Sequence, residues 1–583
     1  MKKTFSILIL LLACGIIVNH AHGQKSKSFK IDLIDKASSE VFGKLKYPRK
    51  VRDEKAARKE MQEIREKLFS EGYLTTSFDT IDSDSAGYRT RLYIGKPYFW
   101  AKLVTNLSDR TLLGQIGFKE RYFNGTPLTG KDISALLKSI VRYYEKNGYP
   151  FASASLDSIS FSGDSLVARL DMKKNLLIIM DTIQVKGSSK IKNSYLHNYL
   201  DIKPGYLYDE SKIEKIGKKL DELPFASEIR PFEISFTEEK AMPVLYLEKK
   251  QASQFDGIIG VAPSSSKTGK LLVTGDVKLK LVSILNRGEV LDFNWRSLEA
   301  QTQDLRIKVT YPFLFSTPFG LDYRFWLLKQ DTSFITLNNN IGLQYHFETG
   351  HYLKVYFEAI SSSLLSTAGL EETTELPEYA DIRNSNYGLE YELTRLDYLW
   401  NPMKGLRLNA FGSYGSKRIN ENPSLNPEIY DSLDLSVNVF KAGGKIDLFI
   451  PLFRGSTFLL SGSGGYIESD NLFTNELFRI GGLKTLRGFD EESIFASSYT
   501  LINAEFRYLF EKDSYFSLFW NGGWYEKMLE NEFVTDTPWG FGAGVSFRTQ
   551  AGVFSVFYAL GKQFGNPLEL RGAKLHFGYT SIF

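Results

Sequence analysis

Residues 499–510 read YTLINAEFRYLF, a stretch in which apolar and polar side chains alternate strictly over most of its length. One face of a strand built from it would carry Ile502, Ala504, Phe506, Tyr508 and Phe510. The other face would carry Asn503, Glu505 and Arg507. Charge on one face and aromatic groups on the other are typical of a transmembrane β-strand between lipid and a wet lumen. The stretch therefore predicts a barrel strand whose Glu505 points into the lumen.

The same alternation recurs through residues 251–583 in about sixteen runs. Short turn signals at 401–405 and 451–455 contrast with long polar stretches, as the short turns and long outer loops of membrane barrels do. These long stretches lie near 362–384, 416–432 and 468–497. A soluble sandwich or propeller would also alternate, but sandwiches use shorter strands. The pattern favours an all-β transmembrane barrel of about 16 antiparallel strands.

Residues 24–250 repeat a different unit, an amphipathic helix followed by an aromatic turn and a strand. Its turn residues Gly72, Gly148 and Pro224 are 76 residues apart, and even spacing of this kind indicates tandem modules. Each module should be a small α+β unit with exposed sheet edges. The predicted modules are 24–98, 99–176 and 177–250. The first copy has the least convincing opening strand, which leaves open that it is truncated.

Residues 1–23 have the three parts of a secretory signal peptide: Lys2 and Lys3, an apolar run, and small residues before Gln24. Cleavage there would remove Cys14, the only cysteine in the chain. An alternative interpretation is lipoprotein processing at Cys14. After residue 23 no stretch approaches the roughly 18 apolar residues of a transmembrane helix, so an exported chain of this kind can span a membrane only as a closed barrel.

The composition and the remaining motifs argue against several classes of function. With 43% hydrophobic and 24% charged residues, the chain is neither a helical membrane bundle nor disordered. Its 72 Lys and Arg against 68 Asp and Glu give no argument for a nucleic-acid partner. Residues 125–132 nearly spell a phosphate-binding loop, but Asp132 replaces the hydroxyl residue that magnesium needs. The histidines lack metal-ligand spacing. We therefore expect no metal, no cofactor and no catalytic residues, so the protein should not be an enzyme.

The end of the chain carries a further membrane signal. In the last strand Phe577, Tyr579 and Phe583 share one face, and the chain stops on an aromatic residue. This resembles the C-terminal signal by which bacterial outer-membrane barrels are recognised for insertion.

Residues 478–493 read FRIGGLKTLRGFDEES, with Gly481 and Gly482 followed by the motif Leu486-Arg487-Gly488-Phe489. Together with the strands that follow it, this segment resembles the C-terminal barrel of the BamA/TamA superfamily of outer-membrane assembly and translocation barrels, the bacterial surface antigen family. The evenly spaced modules resemble the periplasmic POTRA domains of that family. The resemblance covers nearly all of the chain after the signal peptide.

The resemblance implies that the long sixth outer loop folds back into the barrel, where its arginine pairs with acids on the lumen wall. The arginine matches Arg487 and one acid matches Glu505, which the alternation independently turns inward. A second family acid is replaced by Asn521, which can accept a hydrogen bond from the guanidinium but supplies no charge. The alternative is an ordinary loop arginine in a weak surface ion pair.

The resemblance also implies a weakly paired seam between the first and last barrel strands. The predicted first strand, Asp256–Ala262, contains Gly257 and Gly260, and glycine weakens a strand. On the last strand the seam would include Gly578 and Tyr579. The alternative is a barrel that simply begins at a frayed strand.

By this resemblance the protein would insert or translocate other proteins at the outer membrane of a Gram-negative cell. Its modules would lie in the periplasm and receive unfolded outer-membrane or secreted clients by strand addition. A periplasm-spanning or lipoprotein accessory partner is left open, and three modules favour a TamA-like role. The alternative is a passive pore or structural barrel without assembly activity.

Overall fold

The structure is a computed structural model. It describes residues 26–106, 110–119, 124–263, 271–297, 302–348, 350–368, 370, 377–398, 401–431, 433–549, 552–568 and 570–582. The predicted signal peptide, Cys14 and Phe583 lie outside these residues. The chain forms two compact units, one up to Ile179 together with Leu207–Ser211, the other made of Met180–Tyr206 and Lys212 onward. Among the described residues, no helix has both the length and the apolar character needed to cross a membrane.

The first module has the strands β1 (Lys27–Leu33), β2 (Lys50–Val51), β3 (Ser77–Phe78), β4 (Asp82–Ser83) and β5 (Gly87–Tyr93). They form a sheet with strand order β2-β1-β5-β3, and β4 also pairs with β5. Its helices are α1 (Ser39–Lys44) and α2 (Glu54–Ser70). The carboxylate of Asp53 caps α2 by accepting from the Ala56 N–H at 2.8 Å. Lys27–Leu33 supplies an opening strand for this module and pairs in parallel with β5, so the module has the strand that its sequence left in doubt.

Asp35 fixes the turn after the opening strand. Its carboxylate accepts hydrogen bonds from the backbone N–H groups of Ile94 and Gly95, both at 3.0 Å, and from the Ser38 hydroxyl. Partial burial acts to raise the pKa of Asp35, but these hydrogen bonds to the charged form outweigh it and lower the pKa below its ordinary value.

The second module has the strands β6 (Phe99–Val104), β7 (Ser153–Ser162) and β8 (Ser165–Lys173). Their order in the sheet is β6-β8-β7, so β7 lies at a sheet edge. Its helices are α3 (Arg110–Gln115) and α4 (Gly130–Lys146). The Thr129 hydroxyl starts α4 by accepting from the Asp132 N–H at 3.1 Å. Helical spacing then buries Leu136, Ile140 and Tyr144 in the module core.

The third module has the strands β9 (Ile179–Met180), β10 (Gln184–Lys186), β11 (Ala226–Phe236) and β12 (Lys240–Lys249). The sheet order is β10-β12-β11. Its helices are α5 (Asn193–Tyr199), α6 (Glu210–Ile213) and α7 (Ile216–Asp221). Helix α5 packs on turns at one end of the barrel: the Lys192 N–H donates to the Asn286 carbonyl at 2.9 Å, and the Tyr195 and Phe313 rings lie 5.5 Å apart.

The remaining strands form a closed antiparallel barrel. The first eight are β13 (Gln254–Pro263), β14 (Leu271–Val282), β15 (Val290–Ser297), β16 (Gln303–Tyr311), β17 (Phe319–Gln330), β18 (Phe334–Glu348), β19 (His351–Leu364) and β20 (Ile382–Leu396). The others are β21 (Gly405–Ile419), β22 (Ser436–Pro451), β23 (Ser456–Ser469), β26 (Ser498–Glu511), β27 (Ser514–Met528), β28 (Phe533–Asp536), β29 (Trp539–Arg548), β30 (Val553–Lys562) and β31 (Lys574–Ile582). A separate hairpin, β24 (Phe478–Ile480) and β25 (Ile494–Ala496), lies in the loop between β23 and β26.

Strands β28 and β29 both pair with β27 and are separated only by Thr537 and Pro538, so they count as one interrupted strand. Proline has no N–H to donate to a ladder, which explains the interruption. With this strand counted once, the barrel has sixteen strands. The predictions of α+β modules followed by a barrel of about 16 strands are confirmed.

The two faces of the barrel differ as the alternation predicts. Outward side chains such as Ile502 and Trp520 are exposed, whereas inward polar groups are buried. Lys354 and Asp322, for example, are fully buried and form an ion pair at 2.5 Å on the lumen side. Buried charges of this kind are paired because desolvation would otherwise be costly.

Candidate functional site

The first and last strands meet at a short seam. Within the residues that the structure describes, β13 and β31 pair at only two positions, Gln254 with Ile582 and Phe255 with Ser581. On its other side β13 pairs with β14 along its whole length. Most of the backbone hydrogen-bonding groups on the facing edges of β13 and β31 therefore lie outside this ladder.

The predicted seam residues lie just beyond the paired positions. In the described ladders Gly257 and Gly260 pair only with β14, and Gly578 and Tyr579 pair only with β30. If the seam register continued, Gly257 would lie opposite Tyr579. On the outer face Phe577 is 69% exposed, and the Tyr579 ring lies 4.6 Å from that of Phe554 on β30.

The loop between β23 and β26 carries the sequence motif and has a rigid base. Gly481 and Gly482 have φ angles of +118° and +89°, a region that favours glycine. The Gly481 N–H donates to the Thr485 hydroxyl at 2.8 Å, and the Gly482 N–H donates to the Leu486 carbonyl at 3.0 Å. Leu486 is fully buried in an apolar cluster. This turn presents the next residue, Arg487, to the lumen wall.

Arg487 is 7% exposed, and its guanidinium is held from two directions. Its Nη2 donates to Glu505 Oε2 at 2.8 Å and to the Asn503 side-chain oxygen. The guanidinium carbon lies 3.6 Å from the ring centroid of Phe519, a cation–π contact. Glu505 is itself 2% exposed and also accepts from Arg507 Nε at 2.7 Å. The structure thus places Arg487 and Glu505 together as a buried, charge-assisted pair.

Asn521 has a different role from the one expected. It does not accept from the guanidinium in this structure; instead its Oδ1 accepts from the backbone N–H of Arg487 at 2.8 Å. Its Nδ2 donates to the carbonyl oxygens of Arg487 and Gly540 at 3.2 and 3.3 Å. The reason is that a side-chain amide has both a donor and an acceptor, so it can satisfy both polar groups of one peptide segment.

Two partners of the motif were not predicted, although the alternation contains their signal. Asn503 and Arg507 lie two residues on either side of Glu505, so they share its inward face. Gly488 and Phe489 complete the fit against β30. Gly488 has φ +98°, and a β-carbon on Gly561 of β30 would lie 2.6 Å from the Gly488 carbonyl oxygen.

Comparison with known proteins identifies the family. The model of the Omp85 superfamily domain matches residues 287–581, slightly more than half of the chain. The chain belongs to the Omp85 superfamily. No curated protein sequence matches it.

Two solved structures share the fold of this chain at low sequence identity. CdiB from Escherichia coli is 15% identical, with a TM-score of 0.52 over 90% of this chain and 96% of CdiB. CdiB from Acinetobacter baumannii is 13% identical, with a TM-score of 0.51 over 94% and 100% of the two chains. BamA from Haemophilus ducreyi lacking POTRA domains 1–3 is 14% identical, with a TM-score of 0.43 over 84% and 100%. The family match and the observed architecture together describe an Omp85 barrel preceded by α+β modules.

Proposed function

We propose that this Omp85 protein assembles, inserts or translocates other proteins at the outer membrane, in the manner of BamA or TamA, by opening the seam between β13 and β31. The observation that carries the proposal is the two-position pairing of these strands. An unpaired strand edge is a template for another strand, so the seam offers client strands a place to pair. The role requires no catalytic residue or cofactor.

The modules supply further edges for clients on the periplasmic side. Strand β7 is an edge of the second module, and its Ile159 and Phe161 are 53% and 57% exposed. Strand β11 is an edge of the third module, and its Ile229 is 56% exposed. Main-chain pairing at such edges, with apolar side chains beside them, suits unfolded segments of varied sequence.

A disulfide across the seam tests the proposal. Phe255→Cys with Ser581→Cys joins two directly paired positions, so oxidation should lock the seam. The matched control, Ser546→Cys with Ser555→Cys, joins β29 to β30 at two directly paired positions and leaves the seam free. Oxidation should stop client assembly only in the seam variant, and reduction should restore it. Full activity of the oxidised seam variant would refute the proposed function.

Depletion of the protein distinguishes assembly from the passive-pore alternative. In cells that depend on a repressible copy, surface proteomics should show loss of a defined set of outer-membrane or secreted proteins. Altered solute permeability with an unchanged surface proteome would instead support a pore.

A further inference from the structure

The loop that carries Arg487 continues across the seam. After Arg487 contacts β26 and β27, Gly488 packs against β30. Asp490 then forms an ion pair with Lys574 of β31 at 2.8 Å. Two residues later Glu492 reaches the opposite side of the seam, where it meets β15 and β16. Six consecutive residues thus follow the inner wall from the last strands of the barrel to the third and fourth.

Glu492 is the centre of a second anchor. Its Oε1 accepts from Arg296 Nη2 on β15 at 2.9 Å and from Arg306 Nη2 on β16 at 2.8 Å. Arg306 is oriented by Asp304, which is 5% exposed and accepts from it at 2.6 Å. Arg479, at the base of the same loop, lies 3.7 Å from Glu492 Oε2. Glu492 therefore ties the loop to two neighbouring strands of the wall, and the adjacent Glu491 Oε2 lies 3.7 Å from Arg296 Nη1.

The backbone at this anchor is also unusual. Glu492 has φ +53°, in the left-handed region that residues other than glycine rarely adopt. Strain of this kind persists only where surrounding contacts hold the residue in place. Here the Glu492 N–H donates to the Gly481 carbonyl at 3.4 Å, Arg479 Nε donates to the Glu492 carbonyl at 3.4 Å, and the arginines of the wall hold the side chain.

From this geometry we infer that Asp490–Glu492 forms an internal strap across the seam, with Glu492 as a positioning residue that holds the β15–β16 side close to the β31 side. The inference rests on the proposed opening of the seam. In the described part of the chain the two seam strands pair at two positions, so the strap supplies a large share of the connection between the two sides of the seam. Opening then requires Glu492 to leave Arg296 and Arg306.

The test is a distance measured across the seam in the full-length protein. Trp295→Cys on β15 and Leu575→Cys on β31 would carry spin labels, in vesicles of phosphatidylcholine and phosphatidylglycerol. Glu492→Gln should increase the population at long distance about tenfold, the change that 1.4 kcal/mol produces. The wall variant Arg296→Gln with Arg306→Gln should give at least this shift, because it also removes the Glu491–Arg296 ion pair. Adding Glu492→Gln to the wall variant should give no further shift, because the partners of Glu492 on the wall are already gone.

The control variant is Glu476→Gln in the same loop. Glu476 pairs with Lys417 of β21 at 2.5 Å, and its side chain is 4% exposed against 16% for Glu492. Glu476→Gln therefore removes a buried loop charge away from the seam. It should leave the distance distribution unchanged. Protease protection at Arg487 should also persist in Glu492→Gln, which separates loss of the strap from loss of the whole loop.

Failure of the strap and failure of the proposed function give different results. If the oxidised seam disulfide blocks assembly but neither Glu492→Gln nor the wall variant changes the distance more than Glu476→Gln does, the strap is refuted and the function stands. If the strap variants widen the seam while the oxidised disulfide leaves assembly intact, the proposed function is refuted.

Discussion

Arg487→Ala should release the loop tip from the lumen wall. The substitution removes two hydrogen bonds from a charged donor, each worth about 1.5–3 kcal/mol when buried. It also removes the stacking on Phe519, worth about 0.5–2 kcal/mol. The loss is partly offset because Glu505 keeps its bond to Arg507 and is not left as an unpaired buried charge. The three lost contacts sum to about 3.5–8 kcal/mol, and we take a net cost of about 3 kcal/mol, the lower end of this range reduced by the offset.

At 1.4 kcal/mol per tenfold change, that cost raises the fraction of released loop by about 100-fold. The assay is limited trypsin cleavage at Lys484 in intact cells, with surface levels of client proteins measured in parallel. Arg487→Lys keeps the charge but loses the fork geometry and much of the stacking, so its cleavage rate should be intermediate. If Arg487→Ala is cleaved as slowly as the native chain and clients reach the surface normally, the anchoring argument is wrong.

Three further substitutions probe the loop and the modules. Gly488→Ala forces an alanine to φ +98° against β30, at a cost of about 1–3 kcal/mol, so trypsin cleavage of the loop should be faster. The neutral control is Gly412→Ala, because a β-carbon there would meet nothing within 4 Å. Ile140→Ala leaves a cavity at a fully buried site and should lower the free energy of unfolding of the second module by about 2–5 kcal/mol, which would appear as faster hydrogen exchange. The control, Ile159→Ala, changes an exposed side chain of the same module and should alter exchange little. The pKa of Asp35 is lowered in the folded module, so its stabilising effect is present at neutral pH and is lost as the pH falls below about 4. Asp35→Asn should therefore speed hydrogen exchange in the first module at pH 7. It should also make the exchange rate depend less on acid pH than in the native chain.

The Arg487–Glu505 pair was implied by the resemblance of the glycine-flanked motif to the BamA/TamA superfamily, in which this loop reaches the lumen wall. Alternation with a period of two supported it independently, because it fixes which face of β26 each side chain occupies and turns Glu505 inward. The sixteen strands followed from the same period, repeated along the chain. The opening strand of the first module was the least convincing in the sequence because KSFKIDL is short and has four polar against three apolar residues. Its pairing with β5 and β2 makes it a strand.

Other features depend on the path of the loop, which local patterns do not encode. Asn521 serves the backbone of Arg487 because the loop brings that peptide within reach, 34 residues away in sequence. Glu492 and Arg296 are 196 residues apart, and nothing in either local pattern indicates a partner. In the sequence, Glu492 is indistinguishable from the other polar residues of a loop, and Arg296 from the other polar residues of an inward strand face.

The two anchors of the loop differ in exposure, and this sets the order in which they should yield. Arg487 and Glu505 have side chains only 8% and 3% exposed, whereas Arg296 and Arg306 are 23% and 45% exposed. Water screens ion pairs that it can reach, so the Glu492 anchor is the weaker one. A client that pulls β13 away from β31 would therefore break the contacts of Glu492 first, while Arg487 keeps the loop on β26 and β27. The loop would then move with the C-terminal side of the seam and leave the edge of β13 free to pair with a client strand.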